Sequence, residues 1–364
     1  MFTDPAGARS YKGDVPAMDD SDHERTNVTT SEILKSKKHC LTVKAVLEPV
    51  GDTKRFQPAG FPEIGHVIYK APAEEGGAED VCIIDSAASM ANHLETVCLA
   101  GGESVELHED LAGLPYVACV TKEGDAERVV CTTFTEGHRL ASDYFLNGTL
   151  GERRFREVLR EKMQVKELAK DRKYFFYPES WPSIYATIFR YDPNSLVHGL
   201  LFAREEIKIS RVLTAHHEGH GAQRVLSSGV KFDRLGKTLS GQPIFSVDEE
   251  TAERIIATFT VDVGLIRSYG RGDAGLPEKN KLLLLELALW KVLQLTGEPF
   301  RFRSGCHLKL KGSLVWSLDD EKIEAPAIDL KARIKECADG FESSPTKVFY
   351  PASELYRAES AKEK

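Results

Sequence analysis

The stretch CLTVKAVLEPV, Cys40 to Val50, alternates: Leu41, Val43, Ala45 and Leu47 share one face, and Thr42, Lys44, Val46 and Glu48 share the other. A period of two marks a strand with one face on a core and a polar face available to something else. Outward from it, RFQPAGFPEIG (55–65) reads as a loop fixed by prolines and glycines. VCIID (81–85) reads as a short strand. In the following SAASMANHLETVCLAGG, Ala87, Met90, Ala91, Leu94, Val97 and Cys98 recur at helical spacing, with Asp85 or Ser86 as cap and Gly101 as the stop. YVACVTK and ERVVCTTF flank EGDA as a hairpin.

Residues 150–173 are expected to form one long charged helix, SIYATIFRY (183–191) a strand stopped by Asp192-Pro193, and residues 204–246 an irregular projecting insertion. RIIATFTVDVGLIRSY (254–269) contains a buried strand, KLLLLELALWKVLQL (281–295) a buried helix, and FRFRSGCHLKL (300–310) a final alternating strand. That order suits an α+β fold of ferredoxin-like type with large insertions.

Composition narrows the class. With 41% hydrophobic and 29% charged residues, the 364-residue chain is neither collagen-like, disordered nor membrane-spanning. Its longest apolar run, LLLLELALW, contains Glu286 and is far too short for a span. The first thirty residues are polar and acidic, with no visible secretory signal. Seven cysteines without a CxxC pair point to reduced thiols in a cytoplasm rather than a disulfide scaffold or a cysteine zinc site. The net charge of −8 disfavours a nucleic-acid partner only if the charge is uniform, and it is not. Residues 71–130 hold 13 acidic and 2 basic side chains, whereas residues 33–70 hold 7 basic and 3 acidic. Charges more than about 8 Å apart are screened at physiological salt, so a local basic field suffices.

Several motifs suggest chemistry. GRGDAG (270–275) matches the dinucleotide pattern GxGxxG, but Pro277 delays the helix and the next strand lacks a ribose-binding acid. HHEGH (216–220) has the wrong spacing for HExxH, and its glycines disfavour a helix; a solvated loop is expected, with no metal. Glu136, His138 and Arg139 form a trio suited to acid–base work or simply to tying a strand end. KDRKYFFY (170–177) places Tyr174, Phe175 and Tyr177 after a run of cations, and RFQPAGFP pairs Arg55 with Phe56 and Phe61. Cations beside aromatics suit single-stranded RNA, although dense aromatics also build cores. The start of the helix, Ser86 to Asn92, offers free backbone N–H groups and hydroxyls to phosphate.

Taken in order, RFQPAGFPEIG, IIDSAASMANHLE, LAGLPYV, FTEGHRLASDY, IFRYDPNSLVHG, LIRSYGRG and LLLLELALWKVLQL closely resemble the CRISPR-associated backbone proteins of type I-G (formerly I-U) Cascade-like interference complexes. That family belongs to the repeat-associated mysterious protein (RAMP) superfamily. The resemblance runs from about Leu41 to Leu310 and leaves out the acidic arm, the HHEGHGA segment and the tail. It implies a modified RNA-recognition-motif (RRM-like) core over 33–312 with a projecting thumb hairpin, for which 204–246 is the candidate; outside it, 1–32, by composition, reads as a disordered or loosely attached acidic arm and 313–364 as a C-terminal extension.

The function implied is non-catalytic: such subunits polymerise along the spacer of a CRISPR RNA (crRNA) as a helical backbone and present it for pairing with target DNA in antiviral defence. Expected partners are the crRNA, target DNA through it, further copies of the chain, a crRNA-processing 5′-handle subunit, a large subunit and a recruited helicase–nuclease, with no membrane and no cofactor. The RNA contacts expected are Lys44, Arg55, Phe56, Gln57, Ser86, Ser89, Asn92, Arg139, Arg267 and Arg271. Arg and Lys would meet phosphate, Phe56 would stack, and Ser and Asn would meet phosphate or 2′-hydroxyl. Two rivals remain at this level: a ribonuclease of the same superfamily cutting at His138 or Asp233, and a nicotinamide-dependent enzyme using GRGDAG.

Overall fold

The computed structural model describes residues 26–61, 65–73, 76–101, 104–168, 173–225, 249–270 and 275–355. The first elements are α1 (Thr30–Lys35), β1 (Cys40–Pro49), β2 (Arg55–Phe56), β3 (Ile68–Pro72), β4 (Ala78–Asp85) and α2 (Ala87–Thr96). Next come β5 (Val117–Glu123), β6 (Ala126–Thr132), α3 (Phe155–Lys162), β7 (Lys166–Leu168), β8 (Lys173–Phe175), α4 (Trp181–Tyr191) and α5 (Pro193–His198). They are followed by β9 (Leu213–His220), β10 (Gln223–Val225), β11 (Glu249–Thr251), β12 (Arg254–Asp262) and α6 (Val263–Ser268). The chain continues through α7 (Glu278–Gly297), β13 (Phe300–Arg303), β14 (Cys306–Leu310), β15 (Val315–Leu318), β16 (Glu321–Ile323), α8 (Leu330–Cys337) and β17 (Thr346–Phe349).

Helices and antiparallel sheet together give the α+β class expected. The main sheet runs β13-β14-β1-β12-β9-β4-β3, and β15 shares the free edge of β1 with β14. Its register follows the alternation of β1. Leu41, Val43, Ala45 and Leu47 lie opposite Val261, Phe259, Ala257 and Ile255 of β12, and all eight are buried. Directly opposed residues share a face, so the apolar positions of β1 dictate which residues of β12 and β9 meet the helices. On that face pack α2 and α7.

Helix α7 is buried nearly all round, with the sheet on one side and α1, α2, α5 and α8 on others, which is why its apolar run has no polar stripe. A second sheet joins β17, β5 and β6, with β17 parallel to β5. Residues read as a C-terminal extension therefore supply β15 to the main sheet and β17 to the second. The described end of the acidic arm is docked as well: Thr29 caps α1 in a capping box, Ile33 and Leu34 are buried, and Thr26 bridges Ile323.

Four local expectations change. SIYATIFRY is helical (α4), because Ile184, Thr187, Ile188 and Tyr191 fall on one buried helical face and Pro182 sits in the first turn. The long helix over 150–173 shrinks to α3: Gly151 (φ 63°) turns the chain before it, and Gln164 (φ 58°) takes it out of the helix. FRFRSGCHLKL is a hairpin, β13 and β14, turning at Gly305 (φ 75°). Within 204–246, residues 213–220 form β9, a central strand between β12 and β4 rather than a projection; the part of the candidate thumb from 226 on lies outside the described residues.

A buried polar cluster fastens α2, α5 and α7 together. The Glu95 carboxylate of α2 accepts from Arg139 Nε and Nη2, each at 2.7 Å, and from Asn194 Nδ2 of α5 at 2.7 Å. Lys291 of α7 donates to Asn194 Oδ1. Burial lowers the Lys291 ammonium's pKa despite neighbouring acids. Beside them Asp192 is fully buried and accepts from Ser195 Oγ at 2.6 Å. Burial pushes its carboxyl up to about 7, against the hydrogen bond from Ser195.

A raised carboxyl pKa means that the folded state holds the proton more tightly. The stabilisation is complete below the ordinary value of 3.8 and falls as pH rises toward about 7. Urea unfolding between pH 4 and 8 should show wild type losing about 2–4 kcal/mol relative to Asp192→Asn across that interval. A constant difference would show that Asp192 does not titrate in the folded protein.

Candidate nucleic-acid interface

Buried and less buried positions alternate along β1, β9, β15 and most of β12, and on these strands the face away from the helices is largely polar. Thr42 and Lys44 of β1, Thr258 and Thr260 of β12, Thr214 and His216 of β9 and Ser317 of β15 stand side by side on it. They are half-buried, except for His216, which is exposed. Thr42 Oγ1 and Ser317 Oγ are hydrogen-bonded at 2.6 Å. This patch carries hydroxyls, the Lys44 cation and one imidazole, His216, so it offers mainly groups for phosphate and 2′-hydroxyl.

The HHEGH segment is β9, not a loop. Its pleat puts His216, Glu218 and His220 on the polar face and His217 on the core face, so the adjacent histidines point apart. His217 sits 4.6 Å from the Phe302 ring, and burial drives its pKa down to about 3, keeping it neutral. Among the described residues no group of three or more His, Cys, Asp or Glu is arranged to hold a metal ion.

At the end of β4 a second polar cluster forms around the buried Asp85. Its carboxylate accepts from Ser86 N at 2.9 Å, meets His93 Nε2 at 2.9 Å and pairs with Arg303 Nη2 at 2.8 Å. Burial raises the Asp85 pKa, but the His93 hydrogen bond, the Arg303 charge and Ser89 outweigh it, and the net direction is down. Arg303 also donates to the carbonyls of Ile84 at 2.6 Å and Gln57 at 3.3 Å. Gln57 N in turn donates to the Gly305 carbonyl at 2.9 Å. At Gly305 an added Cβ would come within 3.2 Å of the Gln57 side chain, besides meeting a positive φ. Ser86 caps α2 by accepting from Ser89 N at 3.1 Å, and the exposed Arg211 donates to the Ala87 carbonyl at 3.3 Å.

The structure thus brings Gln57, Ser86 and Ser89 together around Arg303 and Asp85 and places Lys44 on the polar sheet face. Arg55 is exposed, paired with Glu249 at 3.1 Å where β2 meets β11. Asn92 is exposed and lines a cleft of about 360 Å³ with Glu95, Thr96, Leu99, Ser104, Phe134, Thr135, Glu136 and Gly137. Two expected contacts are buried instead. Phe56 is 1% exposed and packs under Gly219, where a Cβ would lie 3.3 Å from its ring, so it is core and offers no stacking face. Arg139 is 6% exposed and committed to Glu95.

Arg267 donates to the Lys38 carbonyl at 2.5 Å, tying α6 to the segment before β1. Arg271, Asp233 and the side chain of Phe61 lie outside the described residues. His138, the rival catalytic residue, is 83% exposed in its side chain and pairs with Glu136 at 2.9 Å. Sequence reading missed Arg303 and Arg211. The alternation FRFR carried a signal for the first, since it sets Arg301 and Arg303 apart from Phe300 and Phe302. Nothing local marks the second.

Two measurements test these assignments. Arg303→Ala strips one cation from a carboxylate that is 2% exposed and should cost about 2–4 kcal/mol in urea unfolding. Because the Asp85 pKa is depressed, its contribution is present above the ordinary carboxylate value and fades as pH falls through the folded one. The stability gap between wild type and Asp85→Asn should therefore shrink on acidification; a gap that widened would contradict the pairing.

A family model described as CRISPR-associated protein GSU0053 matches residues 41–224, half of the chain. The structure titled "Crystal structure of Thermofilum pendens Csc2" is 11% identical and aligns over 85% of this chain and 79% of that one, with a TM-score of 0.30. No curated protein matches. The matched span runs from the register-setting strand β1 through the Asp85 cluster and α2 to β10, and on it the chain belongs to the CRISPR-associated protein GSU0053 family.

Proposed function

We propose that this chain is a non-catalytic, crRNA-binding backbone subunit of a type I-G surveillance complex in the cytoplasm. In this reading it oligomerises along the spacer and presents it to target DNA. Membership of a CRISPR-associated family over residues 41–224 carries the reading. The strand order β14-β1-β12-β9, antiparallel throughout, supports an RRM-like core: α2 precedes β9 and α7 precedes β14, as in a βαββαβ unit. The thumb expected over 204–246 lies outside the described residues from 226 on; the strands that flank that stretch, β10 and β11, pair Val225 with Glu249.

The RNA would cross the polar sheet face and the start of α2, with Lys44, Arg55 and Arg211 toward phosphate, and Ser86, Ser89 and Asn92 toward phosphate or 2′-hydroxyl. Copies of the chain, a 5′-handle subunit, a large subunit and a helicase–nuclease complete the proposed assembly. Among the described residues no helix is long and apolar enough to cross a membrane.

Protein purified from cells expressing a CRISPR array should emerge as a large, nucleic-acid-rich species with a high A260/A280 ratio, and the RNA extracted from it should contain spacer sequence. A clean monomer with no affinity for crRNA would refute the reading. Lys44→Ala combined with Arg55→Ala removes two phosphate contacts and should flatten the slope of log K against log salt by roughly 1.4. An unchanged slope would take both residues off the interface.

A further inference from the structure

Single-stranded RNA is gripped by stacking as well as by charge, and the patch around Lys44 offers only the His216 imidazole among its described side chains for it. With Phe56 in the core, the protein's stacking groups must be sought among the rings that reach solvent. Among the described residues three tyrosines are markedly exposed: Tyr69, Tyr144 and Tyr177. Tyr69 is tied by its hydroxyl to Glu218 at 2.7 Å, and Tyr144 meets the Tyr350 ring edge-on. Tyr177 is the most exposed of the three at 46% and lies just beyond the β7–β8 hairpin.

The segment Tyr174 to Tyr177 is extended, and its side chains alternate in role. Tyr174 lies under the Arg160 guanidinium at 3.5 Å, and Arg160 is itself bound to the buried Glu205, so this ring anchors the hairpin to α3. Phe176 packs on the core and against Trp181. Phe175 and Tyr177 point the other way, edge to face with centroids 5.3 Å apart. Opposite Phe175 in register is the exposed Lys166, whose ammonium lies 5.1 Å from the Tyr177 centroid. Tyr174 and Phe176 are half-buried against α3 and the core; the pleat puts the half-buried Phe175 with the exposed Tyr177 and Lys166 on the other side.

We infer that Phe175, Tyr177 and Lys166 form a nucleobase-stacking site for single-stranded RNA, with the rings taking a base and the ammonium its phosphate. The inference rests on the RNA-binding reading above and adds to it a stacking surface separate from the sheet face and the α2 start. Apolar rings alone would fit an apolar partner. The cation held against them selects a ligand that is both planar and anionic, which describes a nucleotide strand.

The test uses the full chain and a fluorescein-labelled single-stranded oligouridine, with a 5-iodouridine version for photocross-linking mapped by mass spectrometry. Tyr177→Ala should weaken binding about tenfold, and the double variant with Phe175→Ala further, while Tyr177→Phe stays within about twofold because the ring remains. Lys166→Ala should reduce the salt slope by about 0.7, whereas the ring variants should lower affinity at every salt concentration with the slope unchanged. Cross-links on Phe175 or Tyr177 would support the site.

Wild-type affinity retained in both ring variants, with cross-links elsewhere, overturns the site and leaves the RNA-binding reading standing. Failure of the wild type to bind RNA overturns both. Tighter binding of the matching DNA strand than of the RNA overturns the assignment of the occupant. Each ring variant is checked by its thermal transition: Tyr177 is exposed and its variants should leave that transition unchanged, whereas Phe175 is half-buried and the double variant is read at temperatures where it remains folded.

Discussion

A helix buried on nearly every side cannot bury charge unless the charge is met within the core, and α7 buries two. Glu286, 2% exposed, accepts from Thr30 of α1 at 3.0 Å and from Arg333 of α8 at 3.0 Å. Lys291, fully buried one and a half turns later, reaches Asn194 of α5, which hands the contact on to Glu95 of α2 and so to Arg139. Leaving either charge unpaired in such a medium would cost several kcal/mol. The two polar contacts therefore fix how α1, α2, α5 and α8 surround α7, and with them where α2 begins. Apolar packing alone, being non-directional, would permit α2 to slide.

That constraint propagates to the surface. Once Glu95 is fixed, the first turn of α2 is fixed too, and Ser86, Ser89 and His93 are held against Asp85 at the end of β4. Arg303 closes the cluster from the β13–β14 hairpin, while the Gln57 carbonyl and the Gly305 backbone bring in the loop after β2. Three pieces far apart in sequence, the β4–α2 junction, the β13–β14 hairpin and the loop after β2, thus converge on one corner of the sheet. Arg303 serves there as a strut rather than a free cation. The cations with freedom to meet a ligand are those like Lys44 and Arg55, whose exposed or half-exposed positions carry weak pairings or none that bind them tightly.

The net charge of the chain is a poor map of its surface field, because charged groups of both signs are spent inside the fold. Glu95, Asp85, Glu205 and Glu286 are buried and matched by arginine or lysine, so they contribute little to the outward field. Similarly, several arginines that look available in the sequence, Arg139, Arg156 and Arg160 among them, are spent inward on those carboxylates. Counting charges along a chain treats both groups as surface. Only their burial sorts them.

Strands β1, β4 and β12, helices α2 and α7 and the β5–β6 hairpin were legible from periodicity and capping, because their buried faces repeat at two or at three to four residues regardless of what covers them. The same alternation set the register of β1 and hence which side of the sheet is polar, and the ordered strings pointed to a CRISPR-associated protein. Tertiary structure decided the rest. SIYATIFRY has the composition of a strand but closes a helical face onto the core, and HHEGH has the composition of a loop but fills the gap between β12 and β4, where ladder hydrogen bonds outweigh its glycines. Phe56 and Tyr177 stand in equally aromatic, basic segments, and nothing local tells them apart. One lies beneath Gly219 in the core and the other beyond a hairpin in solvent, because burial depends on what the rest of the chain brings alongside.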